Sequence, residues 1–174
     1  MATEFITVKG LRELAVAARK LNDEVKQKIA ANAVLAGARI TRDAARALAP
    51  VLKSRYHDDP RRRPGTLRRK IVAVKVRKGD YPEEVMSLVG VRLLSRGAIS
   101  KFKQQTGKAG AQNPDDAFYG DMVELGTSAH THRRVSIPGV RFLKRGFEGT
   151  AERAAREIRD KAGREIIRFG NRLG

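Results

Sequence analysis

The chain has 174 residues, no cysteine, no tryptophan and a formal net charge of +18. That length suits a single domain spanning residues 1–174, able to bury roughly 70% of the surface its unfolded chain exposes. The missing cysteines exclude disulfides and thiolate metal sites, no run approaches the ~18 apolar residues of a membrane span, and the charge calls for an anionic partner.

Met1-Ala2-Thr3-Glu4-Phe5 has neither a basic n-region nor an apolar h-region, so no signal peptide and a soluble protein are expected. Residues 4–9 alternate and are β-rich, as a short edge strand would be. Apolar residues then fall at Leu11, Leu14, Ala18, Leu21, Val25 and Ile29, the spacing of an amphipathic helix. Asn22-Asp23-Glu24 interrupts it with a good N-cap followed by acids. The pattern predicts a short helix ending near Leu21 and a second from Asp23 to Leu48, with Ala33, Ala36, Ile40, Ala44 and Ala47 on its buried side. Pro50 stops that helix and holds Ala49 extended.

Val51–Gly65, with Pro60 and Pro64 in a charged context, reads as a basic loop. Ile71–Arg77 is a strand by composition, Gly79-Asp80 a turn, and Val85–Val91 a second strand. Arg96–Asp116 carries four basic residues before its first acid, plus Gly107, Gly110 and Pro114. It is expected to be a long mobile loop, functional or disordered. Phe118–Leu125 is expected as a third strand and Arg134–Ile137 as a fourth. The tail repeats Ala151, Ala154, Ile158, Ala162, Ile166, Phe169 and Leu173 at helical spacing, with Thr150 placed to cap it and Glu152 in its first turn. The sum is an α+β fold: a small antiparallel β-sheet packed against a long N-terminal helix and a C-terminal helix. Stripes this rich in alanine bury modest area, so a helix face or sheet edge is expected to be completed by a neighbouring subunit.

The positive charge is uneven: residues 1–50 carry +4, 51–80 carry +8, 81–149 carry +3 and 150–174 carry +3. Arg61, Arg62 and Arg63 with Arg68, Arg69 and Lys70 are the main candidates for an anionic contact, joined by Lys101 and Lys103 of the second loop. Two occupants suit them: acidic faces of adjoining proteins, or a nucleic-acid backbone bound with steep salt dependence. Base reading is not expected, because Tyr56 is the sole nearby aromatic.

Little in the chain suggests catalysis. His130-Thr131-His132 places two imidazoles on one face of an extended segment, yet no acid closer than Glu124 completes a metal site. His57-Asp58-Asp59 sits among arginines that would pair with its aspartates. Phosphate-binding loops, nucleophile elbows and zinc-protease motifs are all missing. Asp115, Asp116, Asp121 and Glu124 could gather a divalent cation for phosphodiester cleavage, but Asp115-Asp116 after Pro114 is more simply a turn. The expectation is no enzyme, no cofactor, no metal and no small-molecule substrate. Glu124 has two readings: it pairs with a basic residue of a neighbouring subunit, or it is a surface carboxylate worth at most ~1 kcal/mol.

Tyr119-Gly120-Asp121-Met122-Val123-Glu124-Leu125-Gly126-Thr127, followed by Phe142-Leu143-Lys144-Arg145-Gly146-Phe147, resembles the ordered motifs of the tail-completion and neck proteins of long-tailed bacteriophages. Gly10-Leu11-Arg12-Glu13-Leu14, Ala49-Pro50 and Gly65-Thr66-Leu67-Arg68-Arg69-Lys70-Ile71 extend the likeness over most of the chain in the same order. Two departures stand out: residues 51–64 separate Ala-Pro from Gly-Thr-Leu, and Val140–Gly146 replaces the usual Pro-Phe-Leu-Arg-Pro-Ala. The resemblance implies a structural virion protein, assembled in the host bacterial cytoplasm as a ring, expected to be a hexamer. Its implied partners are other neck, connector and tail-tube proteins, with DNA passing through the channel and no membrane. The subunit or neck interface then falls to Tyr119, Glu124, Gly126, Thr127, Phe142, Leu143 and Phe147. The rival readings are a sequence-independent nucleic-acid-binding protein and a metal-dependent hydrolase.

Overall fold

Every fourth residue from Ile29 onward (Ile29, Ala33, Gly37, Thr41, Ala45, Ala49) is buried, and this stripe organises the molecule. The computed structural model describes residues 23–51, 63–76, 85–127 and 136–170. The expected edge strand at 4–9, the helix ending near Leu21, the turn at Gly79-Asp80 and most of loop 51–65 lie outside them. Helix α1 spans Asp23–Leu48, the range expected, and stops before Pro50. Its buried stripe is rotated by about one position from the one expected: Ala33 is buried, whereas Ala36, Ile40 and Ala44 are half-buried and Ala47 is exposed.

After the turn at Gly65, helix α2 (Thr66–Lys70) leads directly into strand β1 (Ile71–Lys75). Strand β2 (Ser87–Val91) pairs with it antiparallel, Ile71 opposite Val91 and Lys75 opposite Ser87. That register puts Ile71, Ala73, Val89 and Val91 on one face. Both strands pack on α1. The core gathers Ala45, Ala49, Leu67, Ile71, Ala117 and Phe142, flanked by Val89, Val91, Tyr119, Val123 and Leu143.

The expected mobile loop at 96–116 is instead ordered by helix α3 (Arg96–Thr106) and a 3-10 turn at Gly110–Gln112. The Ser95 side chain accepts the Ala98 amide at one end of α3, and Gly107 closes the other in left-handed backbone. The expected third strand is also corrected. Gly120–Leu125 is a helix, α4, followed by strand β3 (Gly126–Thr127), which pairs with β4 (Ile137–Pro138).

Helix α5 (Phe142–Glu148) and helix α6 (Ala151–Gly170) then return along α1. The small residues of the α1 stripe permit this. A Cβ on Gly146 would lie 2.8 Å from the backbone nitrogen of Ala45, so α5 can sit this close only with glycine there. At the α5–α6 corner the Thr150 hydroxyl donates to the Gly146 carbonyl (2.7 Å) and lies 3.3 Å from the buried Thr41 hydroxyl. The corner is thereby pinned to the middle of α1. The fold is the α+β arrangement expected: a small antiparallel sheet packed against a long N-terminal and a C-terminal helix. Among the described residues no helix is long and apolar enough to cross a membrane.

Candidate functional site

Glu124 sits on α4 with its side chain almost wholly buried. Its two carboxylate oxygens accept the backbone amides of Leu143 (2.9 Å) and Lys144 (3.1 Å), the first free N–H groups of α5. The exposed amides of a helix start carry partial positive charge, so a carboxylate there both satisfies donors and complements the dipole. The main chain repeats the link: the Val140 amide donates to the Val123 carbonyl (2.8 Å) and the Arg141 amide to the Glu124 carbonyl (3.1 Å). Arg141 takes left-handed backbone (φ 51°, ψ 43°) to start α5, which costs about 1 kcal/mol in a non-glycine residue.

Gly126 answers a related demand. It adopts φ 86°, and a Cβ there would collide with the Ile137 carbonyl oxygen across the β3–β4 pair. The expected interface residues therefore divide. Phe142 is 0% exposed and belongs to the core. Glu124, Gly126 and Thr127 hold α4, the hairpin and α5 together, and the Glu124 carboxylate is engaged inside its own subunit. Tyr119 is half-buried, edge-to-face with Phe118 at 5.7 Å. Leu143 and Phe147 alone face an opening.

That opening is an apolar groove of about 470 Å³ between α1, β2, α5 and α6, lined by Val34, Gly37, Leu88, Leu143, Phe147 and Ile158 among others. Phe147 is 62% exposed and Leu88 56%. Ser87 lines the same groove, and its buried hydroxyl oxygen has no partner among the described residues. A second apolar surface lies on the α4–hairpin block, where Phe118, Met122, Leu125, Ile137 and Val140 are all exposed, Leu125 to 67%. Of these, sequence reasoning singled out none. The signal was present in the three-residue spacing of Met122 and Leu125, which a helix puts on one face and a strand on opposite faces.

Compared with protein-family models, curated proteins and solved structures, the chain matches none of them.

The basic candidates also divide. Arg61 and Arg62, like His57, His130 and His132, lie outside the described residues. Arg63 forms an ion pair with Asp115 at 3.2 Å. Arg68 donates from Nε to the Ala49 carbonyl (2.8 Å), closing the end of α1. Arg69 reaches the Pro64 carbonyl and the Thr66 hydroxyl, each at 3.1 Å. Lys70 is half-buried, ahead of β1. Lys101 and Lys103 stand exposed on α3.

The acids considered for a metal are dispersed. Asp115 is held by Arg63 and by a turn in which its amide donates to the Asn113 side chain, while Asp116 accepts the Leu94 amide at 3.5 Å. Asp121 is in the first turn of α4. No group of three or more His, Cys, Asp or Glu side chains suited to a metal occurs among the described residues.

Proposed function

We propose that this chain is a structural subunit of the phage neck, joining or completing the tail at the head–tail junction as an oligomeric ring through which DNA passes. The ordered motif set supports this reading. The observation that carries it is the apolar surface left uncovered: five large side chains on the α4–hairpin block, and the groove opened by Leu88 and Phe147. Single exposed apolar residues are ordinary. Two separate sets of them, one on the α4–hairpin block and one around a concavity, fit a subunit whose burial is finished by neighbours. A contact between unlike surfaces, repeated by a rotation that closes, makes a ring.

The motif residues support such a role indirectly. Glu124, Gly126 and Phe142 build the block and fix it to the body, while Met122, Leu125, Ile137 and Phe147 make the contacts. Light scattering coupled to size separation tests this, with the protein alone and mixed with purified phage tails. The wild-type chain is expected to form a ring or to join the tails. M122D/L125D should abolish association while leaving stability within about 0.5 kcal/mol, since both side chains are exposed. A strictly monomeric wild-type protein that ignores tails would overturn the proposal.

A further inference from the structure

From residue 93 to residue 114 the chain contains no acidic residue, and it carries Arg96, Lys101, Lys103 and Lys108. All four are exposed, and none makes a side-chain hydrogen bond or ion pair among the described residues. They are carried on and just beyond α3, a helix with no fully buried residue that leans mainly on the 3-10 turn following it. Ile99 lies against Gly110 there, and Ile99 and Phe102 are both half-buried. No large apolar side chain of α3 is among the exposed ones. Ser100, Gln104 and Gln105 complete its outer surface with hydrogen-bonding groups.

We infer that α3 is a phosphate-backbone contact for duplex DNA, independent of base sequence. A protein partner would be recognised through an apolar or aromatic anchor at the centre of the contact, and α3 offers none outward. A polyphosphate needs only what α3 has: flexible cations and amides spread along a rod about 16 Å long, with no acid on the helix itself to weaken the field and the nearby Asp115 and Asp116 taken up by Arg63 and the Leu94 amide. The amphipathic α6 differs in this respect, because its cations alternate with Glu152, Glu157, Asp160 and Glu165. Phosphate contacts of this kind position a duplex without reading it. The inference deepens the neck reading by naming which part of each subunit would face the DNA. It also stands without that reading.

Binding of the full-length protein to a labelled random-sequence duplex, titrated with salt, tests it. R96Q/K101Q/K103Q/K108Q is expected to bind about tenfold or more weakly at low salt, with the slope of log K against log salt reduced by about 3 to 4. R153Q/R156Q/R159Q/R168Q on α6 removes the same charge and should keep most of the binding. Equal loss in both variants would show a net-charge effect alone and overturn the assignment. Polyglutamate binding as tightly as DNA would overturn it too, by making α3 a contact for acidic protein. Lysine acetylation on the wild-type protein gives an independent readout if the α3 variant folds poorly. DNA should protect Lys101 and Lys103 and leave Lys161, paired with Glu165 at 3.1 Å, unchanged; the absence of that protection would equally overturn the assignment. Assembly is measured on the same samples. A ring that ignores DNA sinks this inference and spares the neck reading, and a DNA-binding monomer does the reverse.

Discussion

Segments 63–70 and 96–108 each carry four cations, and the two sets are used in different ways. In the first, Arg63 is matched by Asp115, Arg68 closes the end of α1, and Arg69 ties the Gly65 turn to its own helix. In the second, four exposed side chains stand on or just beyond a helix that carries no acid of its own. The difference comes from what lies within reach. The first segment passes the open end of a long helix and a tight turn, where carbonyl oxygens lack backbone partners and a guanidinium fork can satisfy them. Helix α3 has already closed its own ends with Ser95 and Gly107, and its cations have no hydrogen-bond or ion-pair partner among the described residues. Charge per segment therefore says little about charge available to a partner.

The most severe test of this contrast between inward and outward charge is Glu124, a buried acid with both carboxylate oxygens bonded to backbone amides. E124A should cost about 2–3 kcal/mol, because two helix-start amides lose their acceptor in a buried place. E124Q keeps one acceptor oxygen and should cost about 1 kcal/mol. Chemical denaturation measures both, and a value near zero for E124A would mean the carboxylate is available to a neighbour after all. Next in size is R68A, expected to lose about 1 kcal/mol through the uncapped end of α1, reduced by the side chain's partial exposure. The smallest effect belongs to K101Q/K103Q, whose melting should stay within about 0.5 kcal/mol of wild type. A larger shift would mean that α3 supports the fold and is not merely attached to it.

Much of the scaffold was readable in advance. The span of α1, both strands of the main sheet and the C-terminal helix follow from local pattern: sustained helical spacing, a proline stop and runs of β-branched residues. The two misreadings share a cause. In Phe118–Leu125 the residues have strand-like composition, but the segment must turn Glu124 toward the start of α5 and Met122 and Leu125 away from it. Only a helical turn separates residues 122 and 124 onto different faces. In 96–116 the glycines suggested a loop, although Ser95 supplies a cap and Ile99 with Phe102 supplies the one apolar stripe a short helix needs. The role of Glu124 was beyond reach because its partners lie 19 and 20 residues downstream. The core position of Phe142 is hidden from the sequence for the corresponding reason: a motif is visible in one dimension, while whether its aromatic ring faces inward depends on how α5 crosses α1.

The Glu124 bridge has a mechanical consequence. It fastens α4 to the helix whose far end carries Phe147, the lip of the groove. A load placed on Leu125 is therefore expected to reach the rim of the cleft through one carboxylate, as a rocker passes it from one arm to the other. In the ring proposed above, seating one joint would pre-align the next.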